Sequence, residues 1–237
     1  MKQLTTRLLL TLVVACALVA PAAGAPPTLF FDYVGFDYED PDDSPLFGGV
    51  GDGYHGVGLV PFIDTDLLQG IDHTAYEYTY YFDGLTASGR QEFPPFVIID
   101  YALPGTLTIY EDSRATGTAA DYGTNPPQLV GGAPPTFVDG TAILVGELTN
   151  FRYLFNTDPN FNSGSFEANF KVVGGSKLAD VPENQRDGWT FSGTTGNSAT
   201  IPTGYDHQVD GQTFLHPPTS SRPGTWGGIK VRYRGAR

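Results

Sequence analysis

Cysteine and methionine are almost absent: the 237-residue chain holds one of each, Cys16 and Met1. Cationic side chains are also few. Thirteen Lys and Arg stand against 26 Asp and Glu, for a formal net charge of −13. A nucleic-acid binder needs a basic face to neutralise phosphate, so the composition argues against that class. Charged residues make up 16% of the chain, against about 25% in an ordinary soluble domain. So sparse a pattern argues against a coiled coil or a long solvated helix, and helical periodicity is nearly absent besides. Beyond the N-terminus no apolar run reaches the roughly 20 residues that a membrane-spanning helix needs. The nucleophile patterns GxSxG and SxxK do not occur, nor do the phosphate loop GxxxxGK[ST], GxGxxG after a strand, or HExxH. An enzyme is therefore the less favoured reading.

Residues 1–25 carry the pattern of an export signal. Lys2 and Arg7 are positive, Leu8 to Ala20 are apolar apart from Thr11 and Cys16, and small residues follow up to Ala25. Cleavage after Ala22 or Gly24 removes both Cys16 and Met1. The mature chain would then be free of disulfides, thiol nucleophiles and Cys-ligated metal, and would have no transmembrane segment. Val13-Val14-Ala15-Cys16 resembles the small-residue-then-cysteine box of bacterial lipoproteins, which implies a lipid anchor at Cys16. The apolar core continues past that cysteine through Ala17-Leu18-Val19-Ala20, which makes ordinary cleavage the stronger reading. The expected location is extracellular, cell-surface or periplasmic.

What the chain has in quantity is glycine, proline and aromatic rings: 30 Gly, 19 Pro, 16 Phe and 13 Tyr. Period-two alternation is the dominant pattern. It predicts strands at Leu29–Tyr38, Val57–Ile63, Tyr76–Phe82, Thr106–Asp112, Phe166–Val172 and around Trp189 and Phe191. The unbroken apolar run Phe96–Tyr101 reads as a strand buried on both faces. Ala142–Phe155 reads as one long bent strand or two, and its hairpin with Phe166–Val172 is the clearest pairing. Val209-Asp210-Gly211-Gln212 reads as a tight turn, because Asp-Gly tolerates positive φ. Thr65–Gly70 and Val181–Arg186 are the only short helical candidates. Nine or ten strands without a βαβ rhythm predict an all-β fold with minimal helix: an antiparallel β-sandwich, a jelly roll or a barrel. One domain is expected over 26–216, followed by a Pro/Ser linker and short basic tail over 217–237. The stripe Tyr76, Tyr78, Tyr80, Phe82 reads as a core face.

Charge is divided along the chain. Residues 26–121 hold 17 acidic and 2 basic side chains, whereas the last sixteen hold five basic and none acidic. The basic tail suggests contact with an acidic cell-surface or extracellular-matrix partner. Glu39, Asp40, Asp42 and Asp43 crowd one stretch and are the candidate metal ligands, since calcium takes six to eight oxygens from closely spaced carboxylates and carbonyls. Gly48-Gly49-Val50-Gly51-Asp52-Gly53 resembles the Gly-rich repeat of calcium-binding β-rolls, although its Asp falls one position early and the unit occurs once. Tyr81, placed opposite the aromatic stripe, together with Tyr122 and Trp226, are the candidate ligand-binding aromatics. Glu111, Asp112, Glu147 and Glu167 lie in or beside strands and are the carboxylates from which a glycosidase pair would come. His55, His73, His207 and His216 read as packed or exposed. The leading expectation is an exported, non-catalytic structural or ligand-binding module without a cofactor. A carbohydrate-binding or carbohydrate-active domain, with calcium as its candidate ion, is the alternative.

Overall fold

Alternation decides which side chains point inward, and the pairing between strands decides what they enclose. The computed structural model describes residues 27–42, 46–102, 104–123 and 132–215. The export segment, Cys16, Asp43, His216, Trp226 and the basic tail lie outside the described residues. Nine strands follow in chain order: β1 Thr28–Glu39, β2 Gly53–Ile63, β3 Tyr76–Phe93, β4 Phe96–Ala102, β5 Gly105–Ser113, β6 Thr141–Asn156, β7 Ser163–Gly174, β8 Trp189–Gly196 and β9 His207–Leu215. All pairings are antiparallel, and the described residues from Thr28 to Leu215 pack as one compact unit.

The sheet closes on itself. β1 pairs with β2 and β9, β2 pairs on with β3, and β9 leads through β8 and β7 to β6. The gap between β3 and β6 is filled by two short strands laid end to end. β5 pairs with the first half of β3 and β4 with the second half, and both pair with β6. The all-β antiparallel architecture expected from the sequence is thus present, with its facing layers supplied by a single sheet rolled round.

Its inside is filled with rings. Tyr33, Tyr54, Tyr78, Tyr80, Phe82, Tyr153, Phe166, Phe170, Trp189 and Phe191 are all buried, and Tyr33 stacks on Phe191 with centroids 4.7 Å apart. Rings this large fit because glycines face them. Along one register Phe166, Gly193, Gly211 and Tyr33 lie side by side across β7, β8, β9 and β1. The Tyr33 ring occupies the space where a Gly211 side chain would begin, and its hydroxyl donates to the Ser192 carbonyl at 2.8 Å. This explains why Val209–Gln212 is not a turn, as its Asp-Gly pair predicts, but the middle of β9. Tertiary packing needs the glycine there for space, and that need overrides local turn preference.

Other expectations are met or corrected by the same geometry. β6 is a single bent strand, broken in register between Thr149 and Arg152 where Asn150 adopts φ 54°. β4 is buried on one face, not both: Val97, Ile99 and Tyr101 point in, whereas Phe96 is exposed and Ile98 half-buried. The two helical candidates amount to a turn at Asp64–Leu68 and a 3-10 turn at Glu183–Gln185. On the outside, β7 presents Ser165, Glu167, Asn169 and Lys171, between the inward Phe166, Ala168, Phe170 and Val172. That polarity is the reverse of a lipid-facing barrel.

A second, smaller apolar cluster covers the outer face of β1 and β2. Tyr38, Val57, Phe137 and Tyr205 are buried there, with Phe36, Tyr81 and Tyr122 packed against them. Thr79 holds the covering segment by donating to the Phe137 carbonyl at 2.7 Å.

Candidate functional site

At one end of the barrel the inward-facing alternation of β1 changes character. Phe31, Tyr33 and Gly35 are followed on the same side by Asp37 and Glu39, which are 0% and 4% exposed. Buried carboxylates require partners. Asp37 accepts from the Tyr54 hydroxyl at 2.9 Å, from the His207 backbone N–H at 2.8 Å and from His207 Nδ1 at 3.1 Å. It thereby joins the end of β1 to the starts of β2 and β9. Glu39 Oε1 accepts the Gly48 N–H at 2.6 Å. Asp206 Oδ2 accepts the Glu39 N–H at 3.0 Å. Gly48 can serve because it has a φ of 70°, and Ile99 fills the space that a side chain would take.

Burial sets the electrostatics of this corner. It pushes the Glu39 pKa up to about 8; the Gly48 N–H pulls the other way, and Asp206, Asp52 and Asp42 add to the rise. Burial likewise brings Asp206 to about 6, with Asp37 adding to the shift and His207 opposing it. For His207, burial disfavours the charged ring, but Asp37 and Asp206 outweigh it and hold the pKa above the ordinary value. All three groups bind protons more tightly when folded. The folded state therefore loses stability as pH rises, for Glu39 between about 4.5 and 8 and for Asp206 between about 3.8 and 6. His207 contributes in the same direction, its stabilisation being lost as pH rises through its raised folded pKa. In the presence of a chelator, Tm is expected to fall by roughly 3–6 °C from pH 5 to pH 8.5. Glu39→Gln, which keeps an acceptor for Gly48, should flatten that slope, as thermal denaturation across the pH series will show.

Glu39, Asp42 and Asp52 each offer an oxygen here, and these atoms lie within 4.8 Å of one another. Ligands 2.3–2.6 Å from one calcium ion can lie that far apart, and carboxylates are its preferred donors. These are the described residues able to hold a cation together. The structure thus unites two of the four metal candidates, Glu39 and Asp42. Asp40 points elsewhere, its Oδ2 accepting the Gly132 N–H at 3.2 Å, and Asp43 lies outside the described residues. Asp52 belongs to the β-roll-like glycine stretch rather than to the acidic run. Its arrival beside Glu39 follows from the β1–β2 pairing, in which Glu39 stands opposite Tyr54.

The candidate aromatics are covered rather than displayed. Tyr81 is half-buried and lies parallel to the His55 ring, with its hydroxyl 3.0 Å from His55 Nδ1. His55 Nε2 is 2.9 Å from the Asp40 carbonyl. A carbonyl can only accept, so Nε2 carries a proton, and in the neutral ring Nδ1 accepts from the Tyr81 hydroxyl. Burial lifts the Tyr81 pKa to about 12. Tyr122 packs edge-on against Phe36 at 4.8 Å and tilted against Phe137 at 4.7 Å. The alternation correctly places Tyr81 opposite the core stripe, but cannot reveal that residues 132–138 and 201–205 fold over that face. Of the four glycosidase candidates, Glu111 accepts from the Tyr78 hydroxyl at 2.9 Å and Asp112 from the Ser113 N–H at 2.8 Å. Glu147 is half-buried, and Glu167 alone of the four opens onto the large outer trough. Compared with known proteins, the chain matches no family model, no curated protein and no solved structure.

Proposed function

We propose that the protein is an exported, non-catalytic binding module that acts at the cell surface, in the extracellular space or in the periplasm. The observation that carries this reading is how the titratable groups of the corner are employed. Asp37, Glu39 and Asp206 accept from backbone N–H groups of β1, β9 and the 46–52 loop. His207 is held against Asp37 of β1, and His55 of β2 between Tyr81 of β3 and the Asp40 carbonyl. The chemistry found elsewhere in acid–base catalysis holds a frame together here, and the frame's rigid outside is left to meet ligands. Residues 1–25 supply the export signal in this reading, and the basic residues of 222–237 supply a contact for an acidic partner. Expression in a secreting host tests it: the exported chain should have a mass lacking residues 1–22 or 1–24, and full-length chain retained in the cytoplasm would refute it. Truncation after Ser221 should remove salt-sensitive association in size-exclusion chromatography without changing Tm.

A second reading, calcium at the corner, is favoured by the convergence of Glu39, Asp42 and Asp52. The ion would bridge the end of β1 to the start of β2 and favour the ionised form of Glu39. Addition of 1 mM calcium after chelation is expected to raise Tm by about 3–6 °C, more at pH 8 than at pH 5. Asp42 is exposed, so Asp42→Asn should abolish the response and leave the chelated Tm unchanged. An unaltered Tm in the wild type removes calcium from the account.

A further inference from the structure

The outer surface of β4, β6, β7, β8 and β9 carries a trough of about 1030 Å3, at the upper end of the size of small-ligand pockets. Its floor is a row set by register. Asp100 on β4 stands opposite Arg152 on β6, Arg152 opposite Glu167 on β7, Glu167 opposite Ser192 on β8, and Ser192 opposite Gln212 on β9. Beyond Gln212 the row continues to Asp32 on β1. Side chains directly opposite one another share a face, so six polar groups line up across six strands.

The shape follows from side-chain length. The middle of the floor is short: Ser192 in this row, Ser165 and Thr194 in the next. The flanks are long. Arg152 and Glu167 rise on one side, and Asp210 and Gln212 on the other. One wall is fixed, because Arg152 Nε bonds Asp100 Oδ1 at 2.9 Å, and the break at Asn150 re-aims β6 just before Arg152. Asp32 itself lies beyond the trough's lining, its carboxylate hydrogen-bonded to the Gln212 side chain. Burial raises the Asp32 carboxyl pKa, with that hydrogen bond opposing the shift and Asp210 adding to it.

We infer that this trough binds a neutral polyhydroxylated chain, an oligosaccharide, laid across the five strands. This rests on reading the protein as a binding module and names the ligand class and its site. Planar carboxylate, amide and guanidinium groups beside hydroxyls pair with the alternating donors and acceptors of sugar hydroxyls. Four inter-strand spacings make the trough about 19 Å long, the reach of a short oligosaccharide rather than of a single sugar. The excess of carboxylates repels an anionic chain. A cationic peptide is the less suited occupant, because Arg152 stands in the row, already neutralises Asp100, and the centre is uncharged. No ring is needed: recognition runs through hydrogen bonds, which is why the covered Tyr81 and Tyr122 play no part in it.

The test uses the mature protein and four neutral probes (cellotetraose, maltotetraose, chitotetraose and mannotetraose), with tetragalacturonate and tetralysine as charged comparisons. Saturation-transfer NMR and calorimetry should detect at least one neutral tetrasaccharide and not tetragalacturonate. Gln212→Ala and Ser192→Trp, which trims one flank and fills the centre, should each weaken that binding at least tenfold while Tm stays unchanged. Both positions are on the outer face, and any change in Tm is read from the same samples. Binding by none of the four sugars, binding by tetralysine alone, or sugar binding indifferent to both variants would overturn the assignment. Calcium response and export are measured in parallel. If they persist while sugar binding fails, the trough is misassigned and the wider reading stands; if export fails, the wider reading falls.

Discussion

Asp37→Ala is expected to lower Tm by about 10 °C or more. The carboxylate is fully buried and satisfies three donors at once: the Tyr54 hydroxyl, the His207 N–H and His207 Nδ1. Alanine leaves all three in place and none of them paired. Removing one partner of a buried charged pair typically costs about 3–5 kcal/mol, because the remaining groups stay desolvated without compensation. Asp37→Asn retains one acceptor oxygen for His207 and can donate its amide to the tyrosine oxygen, so its loss should be about half as large. Urea denaturation of the three proteins gives the comparison. A loss under about 1 kcal/mol for alanine, where ordinary surface changes fall, would mean that Asp37 does not hold the strands together. Amide exchange should locate the damage at the paired ends of β1, β2 and β9 rather than in β7 and β8.

Gly35→Ala should cost about 3 kcal/mol or more, or prevent folding altogether. Gly35 on β1 faces Gly58 on β2. A Cβ at position 35 would overlap the Val57 carbonyl oxygen and lie 2.6 Å from the Gly58 Cα. Both are backbone atoms, so no rotamer change relieves the clash and the strands must separate. From the far side, the Tyr80 ring closes on Gly58, with Cε1 2.7 Å from where that residue's Cβ would be. Gly196→Ala is the control, since a methyl there meets nothing within 4 Å, and it should change stability by less than about 0.5 kcal/mol. Equal effects from the two substitutions would show that close approach of β1 and β2 is not what Gly35 provides. Low expression of Gly35→Ala beside normal Gly196→Ala is the same result read before purification.

The corner and the trough show where sequence reading stops. Glu39 and Asp42 are conspicuous because they are neighbours, and the cation reading of that stretch is visible in one dimension. Asp52 joins them only because β1 and β2 pair in a particular register. The five residues from Asp100 to Gln212 that make the trough row come from five strands. Apart from Glu167, a carboxylate already singled out, each taken alone is an unremarked outward polar residue, and no local pattern ties Ser192 to Arg152. Tyr81 illustrates the opposite error. Its alternation predicts an outward ring, which is right, but what covers it arrives from a segment some 50 residues further on.

Period-two alternation sorted the inward residues of β3, β7 and β8 without help, because a strand's side chains must alternate whatever it pairs with. The same alternation, with scarce helical periodicity and no βαβ rhythm, settled the all-β class in the same local way. Register, ring closure through β2 and β3, and the use of Gly211 within a strand were decided only when the strands met. Those choices depend on which large rings and which small residues come to lie opposite each other, and that is a property of the assembled barrel rather than of any one segment.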